Sequence, residues 1–291
     1  MTDAPVRRTP GTPCWVSLMV HDVPATEAFY GALFGWEFVP GPPELGLYVR
    51  GRIGEDEIAG IGQLQPNPML RVAWSAYLAT DDADATASAV RINGGTVAVP
   101  PLAAGRAGRL SIASDPAGAL FGLWEAGTHV GTMVSGPHGT PVWCELITPE
   151  TASIGAFYRG LFAYDEPAGG AGGGGSGPDV QTLALAGTPV ASLHGIGSGR
   201  FRERHPHWIV YFEVDDTDAA AAMVTERGGQ VLRAPRDGAH GRTAIVTDPE
   251  GALFGIVRSP ERTVRSPEGE SGPSAGGETP WSAGGDGQDV R

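Results

Sequence analysis

Glu145 and His207 are the side chains of this 291-residue chain whose type and setting best suit chemistry. Each lies in a short apolar run with the alternation of a β-strand, VWCELIT at 142–148 and HWIVYFE at 207–213. Alternation places Trp143, Glu145 and Ile147 on one face, and His207, Ile209 and Tyr211 on one face of the other strand. If the two strands run antiparallel and adjacent, Glu145 meets His207, and a carboxylate that orients an imidazole is a workable general acid or base near neutral pH. Tyr211 and His194 are the assisting candidates. The other reading of Glu145 is a carboxylate held by an arginine such as Arg242, and of His207 a strand-edge residue.

Composition removes many other chemistries. All 20 basic residues are Arg, so Schiff-base chemistry, a pyridoxal-phosphate anchor and a P-loop lysine have no side chain available. The motifs G-x-S-x-G, C-x-x-C and HExxH are absent. Cys14 and Cys144 each stand near a Trp at the start of a strand-like run, which suits reduced, buried thiols, and their parity places them under helices. A formal net charge of −13 repels phosphate backbones and anionic membranes, so neither nucleic acid nor a membrane is expected as a partner. No apolar run is long enough to span a bilayer and no secretory signal is apparent, so the expectation is a soluble, cytoplasmic protein, monomer or homodimer, with a small-molecule ligand.

The elements that must position these residues come in repeats. TPCWVSLMVHDVPATEAFYGALFGWEF from Thr12 returns at Thr140 as TPVWCELITPETASIGAFYRGLFAYDEP. WSAYLATDD from Trp74 returns as WIVYFEVDD from Trp208, and SDPAGALFG returns as TDPEGALFG. Each copy divides again into a strand, an acidic turn, an amphipathic helix and short strands, giving a βαβββ unit used four times. The predicted organisation is an N-terminal arm (1–11), a first domain (12–127), a connector (128–139) that contains His129 and His138, a second domain (140–258) with a flexible Gly-rich loop (167–179), and a disordered tail (259–291).

The AFY helices, the DD turns and the duplicated DPxGALFG together resemble the vicinal oxygen chelate superfamily, which includes glyoxalase I, extradiol dioxygenases and bleomycin-binding proteins. The resemblance covers about residues 12–258 and implies an α+β fold: two tandem domains, each of two βαβββ units forming an open, cup-shaped barrel with a ligand or metal on its concave face. It also implies where metal ligands would stand. Those slots hold Trp15, Ser75 and Gly122 in the first domain and Trp143, Ile209 and Gly255 in the second, and the remaining slot offers Gln63 or His194. A divalent metal needs three or four donors on one centre. The expectation is therefore no metal and no cofactor.

With the cup faces fixed by those slots, the first cup is lined by Trp15, Ser17, Met19, Ser75, Tyr77, Leu120 and Trp124, with Gln63 and Trp74 as further substrate-binding candidates. This wall suits a flat hydrophobic ligand, or else simply fills the cup as core. The second cup carries Trp143 and Ile209 beside the ionisable Glu145 and His207, with Tyr211 and His194 assisting. Three functions stay open: a metal-independent lyase or isomerase of specialised, antibiotic-type metabolism working by proton transfer, a resistance-type protein that sequesters an aromatic metabolite, and a metal-dependent glyoxalase or dioxygenase.

Overall fold

A computed structural model describes residues 7–65, 71–132, 134–166, 179–197, 205–238 and 240–260. The first domain runs β1 (Pro13–Val20), α1 (Val23–Phe34), β2 (Glu37–Pro40), a 3-10 turn (Pro43–Leu45), β3 (Tyr48–Ile53), β4 (Asp56–Gln63), β5 (Ala73–Thr80), α2 (Ala83–Ile92), β6 (Thr96–Ala104), β7 (Gly108–Ser114) and β8 (Leu120–Ala126). The second runs β9 (Pro141–Thr148), α3 (Thr151–Leu161), β10 (Asp179–Leu185), β11 (Thr188–Gly195), β12 (His207–Glu213), α4 (Thr217–Glu226), β13 (Gln230–Gly238), β14 (Gly241–Thr247) and β15 (Leu253–Arg258). The Gly-rich loop from 167 to 178 and the tail from 261 lie outside the described residues.

The chain is α+β, with one mixed sheet per domain. The first sheet is ordered β2-β3-β4-β1-β5-β8-β7-β6 and the second β10-β11-β9-β12-β15-β14-β13. Antiparallel pairing of β1 with β5, and of β9 with β12, joins two units at the centre of each sheet, so units pair within their own domain. The third unit contributes three strands among the described residues, β9, β10 and β11, one fewer than the repeat predicts. No helix among the described residues is long and apolar enough to cross a membrane.

The acidic turns cap helices. Asp22, Asp82 and Asp216 each accept a backbone N–H of the first turn of α1, α2 and α4, and Glu150 does so for α3, which satisfies donors a helix start leaves unpaired. The AFY and DPxG motifs have a different purpose, and it joins the domains. Tyr30 on α1 donates to Asp248 of the second domain at 3.1 Å and accepts from Trp74 Nε1 at 3.0 Å. Tyr158 on α3 reciprocates, reaching Asp115 of the first domain at 3.4 Å and accepting from Trp208 Nε1 at 3.3 Å. Burial raises the Asp115 carboxyl to about 6, and Asp248 shifts in the same direction.

Around these bonds the helix-bearing faces of the two sheets share one core. Phe34 packs on Phe212 at 4.9 Å and Tyr30 on Phe254 at 5.7 Å between centroids, so the first helix packs against the second domain as well as its own. The opposite, concave faces carry separate small clusters, one around Trp15, Tyr77 and Trp124, the other around Trp143, Ile209 and Tyr211.

Two sequence expectations change here. Trp74, expected in the first cup, belongs to the shared core: in β5 it registers with Leu18, and strand alternation turns both away from the face of Ser75 and Tyr77. Gln63 likewise registers with the core residue Val20, and its exposed side chain donates to His21 O at 3.4 Å, outside the cup. Cys144 lies in the shared core as parity requires, whereas a bulge between Pro13 and Trp15 puts Cys14 in the cluster of the first cup. Burial raises both thiols to about 12, which keeps them protonated and poor nucleophiles.

Candidate functional site

The candidate residues of the second cup stand on three adjacent strands, β11, β9 and β12. Glu145 sits opposite Ile209 on one side and Ser192 on the other, while the next rung places Ile147 between His194 and His207. The two histidines and Tyr211, which is opposite Trp143, are therefore all diagonal neighbours of Glu145 on one face. The carboxylate turns toward two of them. Tyr211 donates its hydroxyl proton to Oε2 at 2.8 Å, and His194 Nδ1 lies 3.4 Å from Oε1. His207 Nδ1 is 2.7 Å from the carbonyl oxygen of His205, near the strand's start. The structure thus brings Glu145, His194 and Tyr211 together, while His207, equally a diagonal neighbour, has its Nδ1 held to the backbone rather than to Glu145, the partner expected from sequence.

Electrostatics follow from this arrangement. Burial alone would raise the Glu145 carboxyl, but the bonds and charge of His194 and the Tyr211 hydroxyl outweigh it, and the carboxyl ends below its ordinary value. His194 moves up because its proton is held by the Glu145 carboxylate, against a smaller opposing effect of burial. Tyr211 is raised by burial and then by the neighbouring carboxylate charge, so it remains a neutral donor. Arg233 adds positive charge toward Glu145 and Tyr211, and His240 lies within the influence of Glu145. Arg233, His240 and Ser192 were not singled out from sequence. Alternation along β11 could have found Ser192 beside His194, but the approach of Arg233 on β13 and of His240 in the turn before β14 depends on the tertiary path of that hairpin.

Trp143 and Ile209 form the apolar floor, with Trp143 Nε1 donating to Ser192 Oγ at 3.0 Å. Beneath Tyr211 lies Gly255. A Cβ there would fall 2.2 Å from the Tyr211 ring, just as one on Gly122 would fall 2.1 Å from the Tyr77 ring in the first cup. These glycines stand in slots where the resemblance implies a metal ligand, and the space is taken by tyrosine rings. The indoles in the neighbouring slots have their only polar atom committed, Trp143 to Ser192 and Trp15 to Tyr48 at 3.1 Å. Among the described residues no three His, Cys, Asp or Glu side chains gather as a metal centre would need. This donor set does not fit a divalent cation.

In the first cup Trp15, Ser17, Tyr77 and Trp124 line the concave face as strand alternation requires, Ser17 sharing a hydrogen bond with the Tyr48 hydroxyl at 3.3 Å. Met19 is exposed at the rim. Tyr48, Arg50, Glu57 and His129 join this cup without having been read as site residues.

A sequence profile of the Glyoxalase/Bleomycin resistance protein/Dioxygenase superfamily matches residues 141–256. CFP32 of Mycobacterium tuberculosis is 34% identical over 253 residues, covering 85% of this chain and 95% of that protein. The anthracycline biosynthesis protein DauV of Streptomyces sp. strain C5 is 34% identical over 283 residues, 91% of this chain and 99% of that one. The Mn(II)-bound glyoxalase of Novosphingobium aromaticivorans superposes with a TM-score of 0.58 at 18% identity, covering 85% of this chain and 82% of its own, a likeness of fold alone. The chain belongs to the glyoxalase/bleomycin resistance protein/dioxygenase superfamily.

The histidine–carboxylate pair has a measurable signature. The imidazole of His194 should titrate above the ordinary histidine value of about 6.5, because its proton is shared with Glu145. Glu145→Gln removes the largest cause and leaves burial, so the midpoint should drop below that of the wild type. Histidine NMR titration reads this directly; an unmoved midpoint would show that the pair is not coupled.

Proposed function

We propose that this protein is a metal-independent enzyme of specialised, antibiotic-type metabolism, acting on a hydrophobic aromatic small molecule by proton transfer in the second cup. The reaction class is an isomerisation, cyclisation or elimination, in which one proton leaves a ligand carbon or oxygen and one returns elsewhere. The observation that carries this reading is the Glu145 carboxylate held by two partners on separate oxygens, His194 Nδ1 and the Tyr211 hydroxyl, above an indole floor.

In this arrangement His194 is the proton-exchanging group. Glu145 fixes the tautomer with hydrogen on Nδ1 and turns Nε2 to the ligand. When Nε2 takes a proton, the imidazolium is stabilised by the carboxylate beside it, and the same proton can be returned to another ligand atom. Tyr211, a neutral phenol, holds the second carboxylate oxygen and keeps it from rotating away. His207, on the same face, is placed to orient a ligand polar group. Trp143 supplies a stacking surface. The resemblance to anthracycline biosynthesis proteins supports a planar polycyclic ligand.

An anthracycline titrated into the protein should quench tryptophan fluorescence, and Trp143→Ala should weaken its binding roughly ten-fold, the worth of one aromatic stacking contact. Affinity unchanged by that substitution would place the ligand elsewhere. Tight binding with an unaltered ligand after long incubation would favour sequestration over turnover.

A further inference from the structure

The first cup holds a second constellation, unrelated in sequence position to the one above. His129, from the connector, enters the concave face of the first sheet and lies edge-on to Trp15 at 4.5 Å and to Trp124 at 5.6 Å between centroids. Its Nδ1 is 3.0 Å from Glu57 Oε2, while Arg50 binds the other carboxylate oxygen. Trp124 Nε1 donates to the His129 carbonyl oxygen at 2.8 Å, which anchors the connector to the cup wall. An ionised carboxylate only accepts, so Nδ1 carries the hydrogen and Nε2 of the neutral ring carries a lone pair. The hydrogen bond from His129 is also the largest cause of a lowered Glu57 carboxyl pKa, in keeping with a charged Glu57.

What makes this more than a buried ion pair is the pair of atoms left over. His129 Nε2 and Arg50 Nε are both buried with no hydrogen-bond partner among the described residues. Buried polar atoms are nearly always paired, so two unpaired ones in one cavity point to a missing partner. Their residues, His129 and Arg50, line one cavity together with Trp15, Tyr48, Tyr77 and Trp124. One atom asks for a donor and the other for an acceptor; a hydroxyl group is both. The walls around them are aromatic faces and edges, which suit a flat ring. The cavity is about 40 Å³, enough for the hydroxyl end of a ligand, and Pro42 and Leu45 also line it. The turn that carries Leu45 lies between Gly41 and Gly46, the latter at φ 73°, and a bound ring requires this turn to move aside.

We infer that the first cup is a separate binding site for a planar aromatic compound bearing a free hydroxyl, which donates to His129 Nε2 and accepts from Arg50. The site does not depend on the acid–base reading of the second cup, since no residue is shared.

The test uses 2-naphthol and 2-methoxynaphthalene, equal in ring shape but not in donor capacity, titrated calorimetrically against the full chain. 2-Naphthol should bind about ten-fold tighter or better, because the ether leaves the histidine unpaired. His129→Phe, which keeps a ring in place, should bring the two affinities together by weakening the naphthol. In ¹⁵N-histidine-labelled wild-type protein, 2-naphthol should shift the Nε2 resonance of His129 and 2-methoxynaphthalene should not, a reading that stands even if the variant fails to fold. Equal affinities for the wild type, no binding of either compound, or a response on His194 in place of His129 would each overturn the assignment.

Discussion

Glu145→Gln should lower turnover in the second cup by about 10²–10⁴-fold while ligand affinity changes no more than a few-fold. Glutamine preserves the size of the side chain and can still accept from Tyr211, so the floor formed by Trp143 and Ile209 stays in place. Two things are lost. The negative charge that stabilises an imidazolium is gone, and the amide can present its NH₂ to Nδ1, which favours the tautomer with hydrogen on Nε2. His194→Ala should cost a similar factor. The double variant should be little worse than either single one, because the two residues act as one unit. Additive losses would mean that they work independently, and wild-type turnover in Glu145→Gln would remove the carboxylate from the chemistry.

Phe34→Ala should destabilise the protein by about 3–5 kcal/mol, the usual cost of removing a fully buried aromatic side chain. Phe34 is 2% exposed and lies at the junction of both domains, against Tyr30, Trp36, Phe212 and Phe254. The loss should appear in urea unfolding as a single transition at lower denaturant, with both domains melting together, since they share this core. Two separated transitions, with only the first domain weakened, would show that the domains do not stabilise one another.

The repeat made the fold readable, because a duplicated AFY helix, DD turn and DPxG turn define units before any strand is paired. Alternation then assigned faces well within single strands: Trp15, Ser17 and Tyr77 line one cup, and Trp143, Glu145 and Ile209 the other. It also settles why Trp74 faces the core, since that residue is one step out of phase with Ser75. Alternation does not say which neighbour a side chain will choose. Glu145 has diagonal neighbours on both flanking strands, and the choice of His194 over His207 depends on the parallel β9–β11 register, which no local pattern encodes. Less readable still was the chemistry of the first cup. Glu57 starts a strand and His129 belongs to a connector with no periodicity, so their meeting is a product of the chain's path in space. The Tyr and Asp of the reciprocal bonds between domains recur in both copies of the repeat, but nothing in the repeat pairs them, since the partners lie 218 and 43 residues apart.

The proposed proton transfer by Glu145 and His194 takes place in a cup where the other slots implied for metal ligands hold Trp143, Ile209 and Gly255. Its most direct test is conversion of an anthracycline by protein treated exhaustively with a chelator, followed by absorbance and product analysis. Turnover that survives chelation and collapses in Glu145→Gln is the predicted result. Turnover that vanishes on chelation and returns with added manganese or zinc would contradict it.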